Sequence, residues 1–133
     1  RGEGEAILLI DDEPVVRDTL QLLLERAGYR VFPAGDGASG VKLFEDRAEE
    51  IALVISDMML PDMVGTRVVQ NIRQRSPAIP VIAISGMMAS GRFDELLDLR
   101  PAVECLAKPL TPSSLLAAVR RGLATTQTGA LAG

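Results

Sequence analysis

Residues 7–14 read ILLIDDEP, four aliphatic side chains followed without a break by three acids and a proline. An uninterrupted aliphatic run suits a strand covered on both faces, whereas a strand with one wet face alternates. Pro14 cannot continue a ladder but suits the first turn of a helix. The stretch therefore predicts a buried strand handing over to a helix, with Asp11, Asp12 and Glu13 crowded into the junction. Crowded like charges raise one another's pKa, so the junction needs a physical reason.

The same handover recurs along the chain. Short apolar runs at 6–10, 29–34, 51–56, 79–84 and 103–107 predict five strands. Between them Val16, Leu20, Leu23, Leu24 and Ala27 stand at helical spacing, as do Val41, Phe44 and Ala48, and then Val64, Val68, Val69 and Ile72. Phe93, Leu96 and Leu97 mark a shorter helix, and Leu116, Val119 and Leu123 the last. Gly28 suits a left-handed helix stop, Ser76-Pro77 closes the third helix, and Thr111 before Pro112 makes a cap with proline at the first helical position. Strict alternation with aliphatic strands predicts an α/β fold, a doubly wound five-stranded parallel sheet with five helices.

A length of 133 residues suits one domain, expected over 6–124. RGEGE at the start and TTQTGALAG at the end are small, polar or unpatterned, so residues 1–5 are expected to be a linker or chain edge and 125–133 a flexible tail. With 47% hydrophobic and 3% aromatic residues the core must be aliphatic. No apolar run approaches the ~18 residues that cross a bilayer, and no leader pattern opens the chain, so a soluble cytoplasmic domain without membrane contact is expected. A formal charge of −4 argues against nucleic acid as a partner. The single cysteine, Cys105, excludes an internal disulfide and a Cys-rich zinc site, and the absence of histidine removes imidazole catalysis and His-ligated metals. Carboxylate, hydroxyl, amine and backbone are what remain.

In an open parallel sheet every strand delivers its carboxyl end to one edge, where ligands gather. The first strand brings Asp11 and Asp12 there, the third Asp57, the fourth Ser85 and the fifth Lys108. If the strand order is the common 2-1-3-4-5, the first and third strands are neighbours and their carboxylates converge. Mg²⁺, which prefers carboxylate, carbonyl and water oxygens, would make that convergence tolerable, and Lys108 would add positive charge. Such a group also suits phosphoryl transfer, with Asp57 as the nucleophile and the Asp11-Asp12 doublet holding metal. Each residue has a plainer use. Asp11 or Asp12 could cap a helix, worth about 0.3–1 kcal/mol, Ser85-Gly86 could be a simple turn, and Lys108 a solvated lysine. Their coincidence at one edge favours the site.

ILLIDDEP, LVISDMMLPDMVG, VIAISG and CLAKPL together resemble a receiver domain of two-component signalling, over roughly residues 7–123, with the flavodoxin-like fold of CheY. The resemblance implies transfer from a phosphohistidine, on a histidine kinase or a histidine phosphotransfer domain, to Asp57, followed by loss through hydrolysis. It implies Mg²⁺ bound by Asp12, Asp57 and the Met59 carbonyl, with Asp11 acting mainly through metal-bound water. Ser85 and Lys108 would contact phosphoryl oxygens, and Lys108-Pro109 would be a cis peptide. Chemistry directed only at itself follows, although the parent chain could be a kinase.

Two departures fall together. Cys105 stands three residues before the lysine, where the family usually carries the Tyr or Phe that switches orientation. Pro101 replaces a more typical Gly-Ala turn, so the fourth helix is expected to be short or displaced. The lead-in GEGEAILLIDDEP resembles receivers attached behind the catalytic domain of hybrid sensor histidine kinases, with a stand-alone response regulator close behind. A homodimer is left open. The rival readings are a Mg²⁺-dependent aspartyl phosphatase, whose usual D-x-D-x-[TV] is absent from Asp11-Asp12-Glu13-Pro14, and a degenerate receiver that only binds partners.

Overall fold

Every residue of the first strand, β1 (Ala6–Ile10), is buried, and its side chains divide between two apolar layers. Leu8 and Ile10 enter one cluster, Ile7 and Leu9 the other, because successive strand residues point to opposite faces. The computed structural model that shows this describes residues 2–86, 99 and 101–132, with side chains to 124. The elements that follow are α1 (Pro14–Arg26), β2 (Arg30–Ala34), α2 (Gly37–Arg47), β3 (Ile51–Asp57), α3 (Gly65–Arg75), β4 (Val81–Ser85), β5 (Glu104–Ala107) and a C-terminal helix (Pro112–Ala132). All strand pairs are parallel in the order β2-β1-β3-β4-β5, the doubly wound sheet that the alternation predicts.

α2 and α3 cover one face, around Phe44, Val68, Val69 and Ile72. α1 and the C-terminal helix cover the other, around Leu20, Leu24, Leu115 and Val119. Each such apolar side chain stabilises the fold by about 1.5–3 kcal/mol on burial. The expected helix around Phe93, Leu96 and Leu97 lies outside the described residues.

Local chemistry sets the ends of the elements. Pro14 opens α1, which closes in a Schellman motif: Tyr29 N donates to Leu24 O at 3.1 Å and Gly28 N to Glu25 O at 3.0 Å, with Gly28 at φ 102°. Asp36 caps α2 by accepting from Ser39 N at 2.7 Å. Thr111 caps the C-terminal helix, its hydroxyl accepting from Ser114 N at 3.1 Å. β3 and β4 each run one residue further than their aliphatic runs, taking in Asp57 and Ser85, because the ladder continues with Asp57 opposite Ile84 and Ser85 opposite Ala107. Pro33, without an N–H, sits on the edge strand β2, where a missing donor does least harm.

Two stretches differ from the sequence expectation. The backbone of 125–132, expected as a tail, continues the C-terminal helix; it contains alanines and no proline to stop it. Residues 2–4, expected as linker, lie against the α1–β2 turn: Gly4 N donates to Gly28 O at 2.8 Å and Gly2 N to Ala27 O at 2.6 Å. A Cβ on Gly28 would run into the Gly2 carbonyl oxygen. Two separate obstacles therefore bar a side chain at Gly28, the positive φ and the crossing strand of backbone. Gly28→Ala should cost about 1–3 kcal/mol in urea unfolding, and less in a chain begun at Glu5, where only the φ strain persists. An equal cost in both chains would mean that the crossing does not form.

Candidate functional site

The carboxyl ends of β1, β3, β4 and β5 place Asp11, Asp57, Ser85 and Lys108 at one edge of the sheet. β1 and β3 are neighbours, so one carboxylate oxygen from each of Asp11, Asp12 and Asp57 falls within 4.8 Å of the others. Backbone pairing beyond the strand ends holds the edge in register: Met58 N donates to Ile84 O at 2.8 Å and Lys108 N to Ser85 O at 2.7 Å.

Asp57 is buried, and both of its oxygens are engaged. Oδ1 accepts from Met59 N at 2.8 Å and Oδ2 from Lys108 Nζ at 2.9 Å. The same ammonium lies 3.3 Å from Glu13 Oε1 and 3.7 Å from Asp11 Oδ2. Burial works to lower the Lys108 pKa, but its hydrogen bond to Asp57 and the charges of Asp57 and Asp11 outweigh it and hold the amine above its ordinary value. Lys108 therefore stays cationic. The peptide joining it to Pro109 is cis.

Asp11 is the strained member of the group. It is 1% exposed; Oδ1 accepts from Glu13 N at 2.9 Å, while Oδ2 has no hydrogen-bond partner among the described residues. Burial pushes its pKa up; the Glu13 amide and Lys108 oppose that, and Asp57 and Glu13 add to it. Asp12 faces solvent. A buried carboxylate oxygen without a donor, beside further carboxylates and open to water through Asp12, is the donor set that a hard divalent cation such as Mg²⁺ suits. The residues present fit the ion.

Ser85 is fully buried at the same edge, and its hydroxyl donates to the Gly86 carbonyl at 2.8 Å. Cys105 stands on β5 in register with Ala83, half-buried against the α2–α3 side. Burial raises its thiol pKa, with a smaller contribution from Glu104. Met59 is exposed and Met58 buried. Beside Lys108 a groove of about 510 Å³ opens between α1 and the loop before the C-terminal helix, lined by Val15, Val16, Leu20, Pro109 and Leu110. Val15 is 78% exposed there.

Sequence reasoning missed three contributors. Glu13 shares the Lys108 ammonium, which its place beside the acidic doublet could have suggested. Arg17 Nη1 donates to the Asp11 carbonyl at 2.7 Å, within reach of one helical turn. Asp62 binds the start of α2, a contact across the fold that leaves no pattern in the sequence.

The chain matches the response regulator receiver domain over residues 7–120. It is 35% identical over 120 residues to the transcriptional regulatory protein CseB of Streptomyces avermitilis, covering 90% of this chain and 49% of that one. It is 30% identical to the autoinducer 1 sensor kinase/phosphatase LuxN of Vibrio campbellii, covering 86% of this chain and 13% of that protein. Among solved structures it is similar to a response regulator receiver domain protein from Clostridium thermocellum, at a TM-score of 0.88, 28% identity and coverage of 92% and 97%. The chain belongs to the response regulator receiver domains of two-component systems. It spans about half the length of these and similar curated transcriptional regulators that it matches.

The Asp11 environment predicts a pH effect. A carboxyl group whose folded pKa is raised favours the folded state while protonated and stops doing so as pH rises through that pKa. At neutral pH and without divalent cations, the ionised Asp11 therefore destabilises the fold. Asp11→Asn, which keeps the acceptor for Glu13 N, should raise the melting temperature by about 2–6 °C at pH 7 in EDTA. The gain should vanish below the ordinary aspartate value of 3.8. Differential scanning calorimetry across pH checks both parts.

Proposed function

We propose that the chain is a phosphoacceptor that takes a phosphoryl group onto Asp57 with Mg²⁺ and later loses it to water. The observation that carries this reading is the meeting of Asp11, Asp12 and Asp57 within 4.8 Å, with the Lys108 ammonium 2.9 Å from Asp57. Asp12, Asp57 and the Met59 carbonyl would hold the ion, with Asp11 acting through its water. When bound, Mg²⁺ supplies positive charge beside the transferring phosphoryl oxygens.

The chain's own groups account for the rest. An Asp57 carboxylate oxygen attacks phosphorus; the P–N bond of the donor breaks, and the imidazole leaves with its electron pair and takes up a proton. Lys108 stabilises the charge on the equatorial oxygens, and the Ser85 hydroxyl turns from the Gly86 carbonyl to donate to one of them. Hydrolysis reverses the gain: water attacks phosphorus, phosphate departs, and Asp57 regains its carboxylate.

The 133 residues contain no histidine, so the donor is carried by a histidine kinase or a histidine phosphotransfer domain elsewhere in the parent chain or on another protein. The groove beside Lys108, with Val15 exposed on its rim, is an apolar seat for a donor domain that must bring its phosphorus to Asp57. A cytoplasmic location goes with that donor, and no helix among the described residues is long and apolar enough to cross a membrane. An origin in a hybrid sensor kinase is supported by the likeness to LuxN and one in a response regulator by the likeness to CseB.

Incubation with acetyl phosphate and Mg²⁺ should add one acid-stable, base-labile phosphoryl group by intact mass. Asp57→Asn should abolish the gain, and Lys108→Met should slow it about 10²-fold. Label retained in Asp57→Asn would move the nucleophile elsewhere, and rapid turnover of unrelated phosphomonoesters would favour a phosphatase.

A further inference from the structure

The loop between β3 and α3 carries Met59, whose amide holds Asp57 Oδ1 at 2.8 Å and whose carbonyl the proposed function assigns to the metal. At its base the loop is closed on itself. Gly65 N donates to Met58 O at 3.1 Å, and Met59 and Val64 form an isolated antiparallel bridge. An isolated bridge lacks the neighbouring rungs that make a ladder rigid, so the facing of the Met59 peptide depends on what holds the tip.

The tip is held by Asp62. Its Oδ1 accepts from Gly37 N and its Oδ2 from Ala38 N, each at 2.8 Å. These are amides of the first turn of α2, which the cap from Asp36 to Ser39 N leaves without partners. A carboxylate there meets two donors and the positive end of the helix dipole together. The hydrogen bonds from Ala38 and then Gly37 hold the Asp62 carboxyl below its ordinary pKa, so it stays ionised at neutral pH. Met63 adds packing to the charge: its side chain lies over Gly37, where a Cβ would strike it. The start of α2 thus receives the loop twice, through Asp62 and through Met63.

Resting on the functional reading above, we propose that Asp62 is a positioning residue that latches the β3–α3 loop to α2 and so aims the Met59 peptide at the metal site. Asp62 is not expected to touch metal or phosphoryl group. Its effect reaches the site through Met59.

The test uses the 133-residue chain, with Mg²⁺ affinity from calorimetric titration and amide hydrogen exchange at Met59 and at Ile55 in the core of β3. Asp62→Ala should weaken Mg²⁺ binding about tenfold, the scale of outer partners of metal ligands, and speed exchange at Met59 while Ile55 keeps its protection. Gly37→Ala crowds Met63 off the helix, its added Cβ also standing 3.2 Å from Asp62 Oδ1, and should move both readouts the same way. Asp62→Asn, with one carbonyl acceptor left, should recover part of the loss. If Asp62→Ala does not fold, the other two variants decide. Unchanged Mg²⁺ affinity in Asp62→Ala and Gly37→Ala overturns the latch. So does weakened affinity with ordinary exchange at Met59, which would trace to lost charge alone. If the unsubstituted chain takes up no Mg²⁺, the functional reading falls, and exchange at Met59 alone judges the latch: faster in both variants upholds it, unchanged overturns it.

Discussion

Carboxylates brought together by the fold outnumber the ammonium that meets them. Lys108 Nζ stands 2.9 Å from Asp57, 3.3 Å from Glu13 and 3.7 Å from Asp11, so one cation is shared among three acids while Asp12 waits in solvent beside them. The imbalance shows most at Asp11 Oδ2, which is buried without a donor among the described residues. Leaving such an oxygen unsatisfied costs about 1–3 kcal/mol or more, a sizeable part of the 5–15 kcal/mol that separates folded from unfolded chains. The protein tolerates that cost because aliphatic layers cover the sheet on both sides. A charged, under-neutralised edge on a well-packed sheet is the arrangement that a cation can relieve.

The sheet makes this crowding hard to escape. Parallel strands bring their carboxyl ends to one edge, and the β2-β1-β3 order puts the Asp11-Asp12 doublet beside Asp57. A slip of one residue in β1 would carry Leu8 and Ile10 into the layer of Ile7 and Leu9, so packing locks the register that aligns the acids. Core and site are thus specified by one constraint.

Much of this could be read from the chain because the constraint is periodic. Unbroken aliphatic runs mark the buried parallel strands, and the polar residues that end them fall at the ligand-bearing edge by topology alone, as Asp11, Asp57, Ser85 and Lys108 do. What could not be read depends on folded loops. Asp62 lies 25 positions from Gly37 in sequence, and nothing about an acid in a Pro-Asp-Met loop says which helix it will cap. The docking of residues 2–4 is hidden for a different reason: glycines contribute no side-chain pattern, and their use here is the close passage of two backbones. The helical backbone at 125–132 is a third case, since a polar stretch can follow an established helix wherever no proline or capping geometry ends it.

Cys105 bears on how the site can communicate with the rest of the domain. Its thiol lies 3.9 Å from the carbonyl of Val103, just before β5, and packs toward the α2–α3 layer, and it has neither the volume nor the reach of an aromatic ring. A ring that swings between two positions is therefore not a device open to this chain at that position. Three connections that leave the pocket end on backbone carbonyls. Lys108 N ties β5 to Ser85, Met58 N ties the β3–α3 loop to Ile84, and Arg17 ties α1 to the Asp11 carbonyl. A charge change at Asp57 acts first on its two hydrogen-bond donors, Met59 N and Lys108 Nζ, and each belongs to a segment held by one of those ties. Displacement of the Met59 amide must carry its loop with it, because the peptide group is rigid, whereas the Lys108 ammonium can move about its own side-chain torsions.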